Sequence, residues 1–277
     1  MASSSMKSDQ QIPDDPILTH NKNAWNRLVR AGNRFTSTAT EAAFANPLAA
    51  VDSLGWLGPS IVGQAVLCLA AGGGRQAPLY AAAGAKVTVV DLSDEMLVLD
   101  RQVAQQRKLP MRILQGSMDD LSMLGEGEFD LVIHPVSTCY LKNIQVVFQQ
   151  VARVLRAGGV YVSQHKSPTS LQVSRRSLGS SYVFHHGYYD KNPVEAAEPE
   201  TTLREPGTLE FVHRVEEIIG GICRAGMTVE DLVEPFHADT GAELGSFGHR
   251  SCFVAPYLRI KARRTGTISA PRLFLET

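Results

Sequence analysis

Several features that define whole classes of protein are absent from this sequence or scarce in it. Its four cysteines are Cys68, Cys139, Cys223 and Cys252. They form no C-x-x-C pair, which argues against a zinc site, and so few cysteines in a large chain do not indicate a disulfide framework. We interpret them as free thiols, buried or incidental. The alternatives are a reactive Cys139 or Cys252, or capture of a soft metal by thiolates.

Net charge and long apolar runs are equally scarce. The 27 Lys and Arg residues are balanced by 28 Asp and Glu residues, so no overall basic field would attract nucleic acid or an anionic membrane. No apolar run is long enough to span a bilayer, and the first residues contain no stretch like a secretory signal. The sequence therefore predicts a soluble, cytoplasmic protein that binds neither nucleic acid nor a membrane.

What the sequence does contain is a regular alternation of strand and helix patterns. Apolar strands are predicted at Val66–Leu69, Lys86–Val90, Met111–Leu114, Phe129–Ile133 and Val160–Ser163. The helical patterns between them include Arg75–Ala83, Ser93–Lys108 and Ile144–Leu155. Because each crossover helix must cover a face of the sheet, this alternation predicts an α/β fold with parallel strands and helices on both faces.

The 277 residues suit one large domain with additions rather than two cores. We expect an N-terminal helical segment at 1–60, with helices at Ile17–Arg30 and Ala39–Phe44, which belongs to the same domain as a core at 61–277. The core contains an insert at 166–207. An aromatic run in that insert, 182–189, is predicted either to cover a ligand site or to pack within the insert.

The chain after the insert is predicted to return to regular structure. The expected elements are a helix at Thr208–Arg224 and strands at Met227–Val233 and Ser251–Ile260. Pro256 lacks the N–H group that a strand ladder requires, so the last strand should be broken, bulged or at an edge.

The strongest chemical signal lies where the first strand meets the following helix. Strand Val66–Leu69 continues into Gly72-Gly73-Gly74. Glycines allow a sharp turn and a close approach to a ligand, and a helix N-terminus offers unpaired N–H groups. The next strand ends in Asp91, where a carboxylate can accept hydrogen bonds from both hydroxyls of a ribose. The combination predicts a site for an adenosine-containing cofactor.

The glycine pattern alone leaves a nicotinamide cofactor open. Gly72-x-Gly74-x-x-Ala77 fits the dinucleotide pattern, so a nicotinamide-dependent oxidoreductase is one hypothesis. Against it, the chain lacks a convincing acid–base set for a dehydrogenase. Its Tyr-x-x-x-Lys spacing, from Tyr257 to Lys261, falls in a predicted terminal strand.

Five ordered motifs between Val66 and Gln164 resemble the core of the class I S-adenosylmethionine-dependent methyltransferases, in their small-molecule branch. The glycine loop is similar to the first motif of that family, and Val89–Ser93 to the second. Gln115–Leu121, Phe129–His134 and Val154–Val162 resemble the third, fourth and fifth motifs. His20–Trp25 resembles the opening helix of many such enzymes. Five motifs in order are more specific than any one of them.

The resemblance implies a fold, a cofactor and a set of contacts. The fold would be a Rossmann-like three-layer sandwich with a seven-stranded, mostly parallel sheet whose last strand is antiparallel. S-adenosyl-L-methionine would be the cofactor and a small molecule the methyl acceptor. Asp91 would hold the ribose, Ser117 and Met118 would border the adenine, and the glycine loop would cradle the methionine portion. The implied cofactor-binding residues are Ala70, Ala71, Gly72, Gly74, Asp91, Leu92, Met96, Ser117, Met118 and His134.

The chain departs from this family at two positions of the first motif. Cys68 stands where an acidic residue is usual, and Ala70 stands where glycine is usual. The acid normally helps to orient the loop and the ammonium end of the cofactor. Its loss would leave that ammonium group to backbone carbonyls such as those of Ala70 and His134. A cofactor-binding partner protein without turnover is therefore a further hypothesis.

Candidate catalytic residues are expected at the carboxyl ends of strands four and five, where open α/β sheets bind ligands. His134 and His165 lie at these ends, and Tyr140 follows strand four. Histidine titrates near neutral pH, so either ring could remove a proton from an acceptor. The alternative for each is a structural hydrogen bond at the strand end. No local ligand spacing indicates a metal site, and the oligomeric state is not indicated.

Overall fold

The computed structural model describes residues 15–173, 181–197 and 204–266. Its central sheet contains β1 (Ala65–Leu69), β2 (Lys86–Asp91), β3 (Met111–Gln115), β4 (Phe129–His134), β5 (Leu155–Lys166), β6 (Met227–Val233) and β7 (Tyr257–Arg264). The strand order is β3-β2-β1-β4-β5-β7-β6. Strands β1 to β5 are parallel, and β7 runs antiparallel to both of its neighbours. The predicted seven-stranded sheet with an antiparallel last strand is confirmed.

Helices cover both faces of this sheet. They are α1 (Pro16–Arg30), α2 (Glu41–Ala45), α3 (Pro47–Val51), α4 (Ala77–Ala82), α5 (Asp94–Arg107), α6 (Gln145–Val154), α7 (Pro168–Gln172), α8 (Gly221–Arg224) and α9 (Phe247–Ser251). A π-helical turn, Glu216–Gly220, leads into α8, and a 3₁₀ turn, Thr138–Tyr140, follows β4. Ser93 caps α5: its hydroxyl accepts a hydrogen bond from the backbone N–H of Met96 at 3.1 Å.

Alternate residues of β1 contribute to two apolar layers. Leu67 and Leu69 pack in the layer that contains Phe148 of α6. Cys68 packs in the opposite layer with Leu97 of α5. Because both faces of the strand are buried, its sequence is apolar at every position rather than at every second one.

The predicted helix over Thr208–Arg224 is wrong in its first half. Helical structure begins only at Glu216, because the preceding backbone pairs with distant segments instead of with itself. The N–H of Phe211 donates to the carbonyl of Cys139 at 2.8 Å, and the carbonyl of Glu210 accepts from Val194 at 2.8 Å. Tertiary contacts therefore hold this stretch extended.

The predicted last strand is also displaced along the chain. It begins at Tyr257 rather than at Ser251, and Phe247–Ser251 form α9 behind a cap at Ser246. Pro256 lies just before the strand, where the ladder does not require a backbone N–H group. Its carbonyl accepts a hydrogen bond from Ser167 N–H at 2.9 Å.

The N-terminal segment is fixed to the sheet layer through α5. The side-chain amide of Asn26 on α1 donates to the Asp94 carboxylate at 2.8 Å and accepts from the Ser93 hydroxyl at 2.6 Å. The division of the chain at residue 60 stays a prediction. Across 15–173, 181–197 and 204–266, no helix is both long and apolar enough to cross a membrane.

Candidate functional site

A cavity of about 550 Å³ lies at the carboxyl ends of the parallel strands. One half of it is formed by the residues that follow β1, β2, β3 and β4. These include nine of the predicted cofactor-binding residues: Ala70, Ala71, Gly72, Asp91, Leu92, Met96, Ser117, Met118 and His134. Gly74, the tenth, lies behind the loop against α5 and does not line the cavity. The structure thus brings nine of the ten predicted residues to one place, while their contacts with a cofactor stay a prediction.

The first glycine of the loop is required by close packing. A Cβ atom at Gly72 would lie 2.9 Å from the Cγ atom of Asp91 and 2.9 Å from the Cβ atom of Met96. Gly73 and Gly74 have φ angles of +107° and +66°, and residues with a Cβ atom rarely adopt such angles. The loop can therefore pass between β2 and α5 only because these positions carry no side chain.

Asp91 connects the glycine loop to the end of β2. One carboxylate oxygen accepts from Gly72 N–H at 2.8 Å, and the other accepts from Ser93 N–H at 2.8 Å. Burial raises the pKa of Asp91, while the N–H groups of Ser93 and Gly72 act in the opposite direction. Each carboxylate oxygen can accept a second hydrogen bond, so the group can hold the loop and still receive ribose hydroxyls.

His134 faces the cavity but is already fully hydrogen-bonded. Its Nδ1 atom lies 2.8 Å from the Tyr161 hydroxyl, and its Nε2 atom lies 2.7 Å from the Ser137 hydroxyl. Burial lowers the pKa of His134 to about 3. The ring is therefore neutral at physiological pH, and its basicity is too low for efficient proton removal.

His165 does not line the cavity. Its Nδ1 atom lies 2.9 Å from the Thr138 hydroxyl and its Nε2 atom 2.8 Å from the Ser163 hydroxyl. The ring packs on Phe148 beneath the sheet, with the ring centroids 6.0 Å apart. Burial, followed by the charges of His134 and His213, lowers its pKa well below the usual value. The structure thus places the ring where it ties β5 to the turn that carries Tyr140.

Tyr140 lines the other half of the cavity. Its ring meets the Trp25 ring edge to face, with the centroids 5.9 Å apart, and its carbonyl accepts from the Asn21 amide at 3.0 Å. The hydroxyl is buried and forms no well-aligned hydrogen bond within the described residues. Burial, and next the nearby Glu205 carboxylate, raise the pKa of Tyr140 well above its usual value. The hydroxyl is therefore a proton-bearing donor at neutral pH.

A buried cluster of four charged side chains lies behind Tyr140. The Lys166 ammonium contacts the Glu205 carboxylate at 2.5 Å and also pairs with Glu210, which in turn pairs with Arg204. Glu210 is completely buried. Glu205 is the member that reaches the cavity, so this wall presents a carboxylate whose position is fixed by a buried cation.

Further aromatic residues that line the cavity come from both ends of the chain. Trp25, Phe35 and Trp56 contribute from the N-terminal segment, and Tyr257 from the start of β7. The aromatic run 182–189 does not contribute: none of its residues lines the cavity. Instead the Tyr182 hydroxyl lies 2.7 Å from Nδ1 of His249, on the surface near α9. Residues 174–180 and 198–203 of the insert lie outside the described ranges.

Sequence reasoning missed two features of the site. One is the charged cluster, whose members are far apart in the chain and carry no motif. The other is Asp100 on α5, whose carboxylate accepts hydrogen bonds from the glycine loop. Asp100 did leave a signal, because it occupies the same helical stripe as the buried Met96, Leu97 and Val103. Among the described residues, no group of three or more His, Cys, Asp or Glu is arranged to hold a metal ion.

Comparison with known proteins assigns the class. A family described as methyltransferase domain matches residues 67–163. The protein of Bacillus subtilis (strain 168) named "Uncharacterized methyltransferase YbaJ" is 32% identical over 239 residues, which cover 81% of this chain and 91% of that protein. The chain therefore belongs to the S-adenosylmethionine-dependent methyltransferase family, and S-adenosylmethionine is its cofactor.

Solved structures agree on the fold. An S-adenosylmethionine-dependent methyltransferase from Mesorhizobium loti is similar with a TM-score of 0.59 at 21% identity, covering 74% of this chain and 93% of that one. Geranyl diphosphate C-methyltransferase from Streptomyces coelicolor A3(2), in complex with Mg²⁺, geranyl diphosphate and S-adenosyl-L-homocysteine, has a TM-score of 0.60 at 16% identity, covering 91% and 100%. Neither the nicotinamide hypothesis nor the partner-protein hypothesis is supported by these relatives.

Proposed function

We propose that this enzyme transfers a methyl group to a small-molecule acceptor, which binds in the half of the cavity lined by Trp25, Tyr140 and Glu205. The observation that carries the proposal is the shape of the site. A single cavity of about 550 Å³ joins the glycine loop to a wall of Trp25, Tyr140 and Glu205. A volume of a few hundred Å³ is typical of sites for small molecules and cofactors. The N-terminal segment contributes Trp25 to this wall, and the insert contributes Glu205.

The residues around the glycine loop fit S-adenosylmethionine. A Cβ atom at Gly72 would clash with Asp91 and Met96, so the loop backbone lies close against β2 and α5 at the point where it lines the cavity. Asp91 supplies a half-buried carboxylate with free acceptor capacity for a ribose, and Ser117 and Met118 supply a partly apolar edge for an adenine. When bound there, the cofactor supplies an electrophilic methyl group on a sulfonium. The chain itself has to orient the acceptor and exclude water.

Tyr140 and His134 suit orientation better than proton removal. Tyr140 keeps its proton at neutral pH, and because its hydroxyl is buried, the residue shapes the wall beside which the Glu205 carboxylate reaches the cavity. The neutral His134 ring, fixed by Tyr161 and Ser137, presents a preorganised dipole at the junction of the two halves. We therefore assign both residues to positioning the acceptor, and His165 to holding the turn that carries Tyr140.

The acceptor class can be tested with tritiated methyl groups. The protein would be incubated with methyl-labelled S-adenosylmethionine and a cell extract separated into a metabolite filtrate and a macromolecular retentate. We expect label to move into the filtrate, because the volume of the cavity is typical of small-molecule sites. The Gly72→Ala variant is the negative control, since its Cβ atom would clash with Asp91. Label found only in protein or nucleic acid would refute the proposal.

Replacing His165 by alanine is expected to lower turnover more than cofactor affinity. The change removes the contact with Thr138 and so loosens the turn that carries Tyr140. We expect about a tenfold loss in kcat with S-adenosylhomocysteine affinity changed by less than about twofold. The measurements are steady-state kinetics with the labelled acceptor and calorimetric titration. His249→Ala, a change outside the cavity, is the control, and equal kcat in the two variants would argue against this role.

A further inference from the structure

The glycine loop has a second face, which points away from the cavity towards α5. There the Asp100 carboxylate accepts two backbone hydrogen bonds: Oδ2 from Gly73 N–H at 2.9 Å and Oδ1 from Gly74 N–H at 3.0 Å. The carbonyl of Met96 also lies 3.0 Å from Gly73 N–H, so that donor is shared. Asp100 is 0% exposed. One buried carboxylate thus clamps two consecutive N–H groups of the loop.

Packing fixes the loop against the same turn of α5. A Cβ atom at Gly74 would lie 2.9 Å from Cγ2 of Val103 and 3.0 Å from the carbonyl oxygen of Leu99. Gly73 and Gly74 both have positive φ angles, and this conformation turns their N–H groups towards Asp100. The path of the backbone that leads to Gly72, at the cavity, therefore depends on what α5 offers at position 100.

The electrostatic surroundings of Asp100 do not favour its charge. Its pKa is raised to about 7, mainly by burial and also by the negative charge of Asp91 on β2. The N–H groups of Gly73 and Gly74 and the positive charge of Arg101 act in the opposite direction. On β1, burial and then the negative charge of Asp100 raise the pKa of the Cys68 thiol. Cys68 is buried in the layer that contains Leu97 of α5, but a neutral thiol there cannot hold the loop's N–H groups as a carboxylate does.

We propose that Asp100 is the positioning residue of the cofactor loop. From the helix side, its ionised carboxylate holds Gly73 and Gly74 in the conformation that presents Gly72 to the cofactor. This inference rests on the cofactor site proposed above. It explains how the chain keeps an ordered glycine loop without an acidic residue in β1. It also makes cofactor binding depend on the ionisation of a buried group outside the cavity.

The sign of the pH effects follows from the raised pKa. Folding disfavours the ionised form of Asp100, so its contribution to stability is present below its usual pKa and is lost as pH rises through about 7. Cofactor binding needs the ionised form to hold the loop, so affinity should rise with pH over the same window. His134, with a pKa of about 3, does not titrate there. The pKa of Asp91 is also raised, so Asp91 is the alternative cause of a rise in cofactor affinity with pH.

The test is calorimetric titration of S-adenosylhomocysteine into the wild type and Asp100→Asn between about pH 6 and pH 8. We expect the wild-type affinity to rise with pH. The variant should bind about tenfold more weakly at the upper end, as for the loss of a charge-assisted hydrogen bond, with no slope. A slope that persists in the variant would assign the titration to Asp91 and overturn the pH effect. If the wild-type protein did not bind S-adenosylhomocysteine at all, the result would refute the proposed cofactor site instead.

Two further variants separate positioning from a merely structural role. In Cys68→Asp/Asp100→Asn a carboxylate returns from β1, and we expect affinity to recover to within about threefold of wild type. At pH 8 the midpoint of thermal unfolding of Asp100→Asn should equal or exceed that of the wild type, whereas a structural residue would lower it. Asp190→Asn, which alters an exposed carboxylate that accepts from Asn192 N–H at 2.9 Å, is the control. No recovery in the double variant, together with a lowered midpoint in the single one, would overturn the proposal.

Discussion

Replacing Asp91 by alanine is expected to weaken S-adenosylhomocysteine binding about 100-fold, or ~2.7 kcal/mol, the size of one or two charge-assisted hydrogen bonds. The carboxylate already accepts from Gly72 and Ser93. Its loss would remove the acceptor for the ribose and leave both N–H groups without their partner. Asp91→Asn keeps the shape and one acceptor oxygen, so its effect should be smaller. Calorimetric titration measures both.

Two controls make this result specific to the ribose. Asp190→Ala removes an exposed carboxylate with a comparable backbone hydrogen bond and should leave affinity unchanged. Methylthioadenosine keeps the ribose but lacks the amino-acid portion of the cofactor. If Asp91 holds the ribose, the variant should lose as much affinity for this ligand as for S-adenosylhomocysteine. A loss confined to S-adenosylhomocysteine would mean that Asp91 acts only through the loop, and unchanged affinity for both would place the cofactor elsewhere.

The half of the site near the glycine loop could be predicted because its determinants are local. A buried strand, a glycine turn and a carboxylate at the next strand end occur in one short stretch, and their geometry is set by neighbouring residues. The predicted bounds of β6, Met227–Val233, also match the structure, although its ladder partner β7 is distant in the chain.

The other half of the site could not be predicted in the same way. His134 lines the cavity and His165 does not, since the His165 ring instead contacts the turn Thr138–Tyr140 through the Thr138 hydroxyl. Nothing in the spacing of the two histidines reveals that contact. The extended stretch before Glu216 is a similar case, since Phe211 pairs with Cys139 across a long sequence separation. Long-range pairing overrides local helix propensity there.

Asp100 shows a third situation, in which the signal was present but ambiguous. A carboxylate in the buried stripe of α5 conflicts with the apolar pattern around it. Such conflicts between local rule and position are typical of functional sites. From the sequence alone, the partner of that carboxylate is unknown, because the contact between the glycine loop and α5 depends on the pairing of β1 with β2.

Replacing Lys166 by methionine is expected to have the largest effect on stability, a loss of about 3–5 kcal/mol as for the breaking of a buried ion pair. The ammonium group is buried between Glu205 and Glu210. Methionine would fill a similar volume but would leave one carboxylate unpaired and the other with Arg204 alone. Urea-induced unfolding monitored by circular dichroism would measure the change. The acceptor wall should loosen as well, because Glu205 and Tyr140 would lose the cation that fixes them.

The matched control is Lys191→Met. Lys191 pairs with Glu217 at 2.5 Å, but its side chain is 54% exposed, and exposed ion pairs contribute little. A second measurement uses pH. Although burial acts in the opposite direction, the charges of Lys166 and Arg204 lower the pKa of Glu210 below 4.5. Its stabilising contribution is therefore present above about pH 4.5 and is lost as pH falls through the lowered pKa. The difference in free energy of unfolding between the wild type and Lys166→Met should therefore become smaller in acid. If at neutral pH Lys166→Met lost as little stability as Lys191→Met, the cluster would not stabilise this wall.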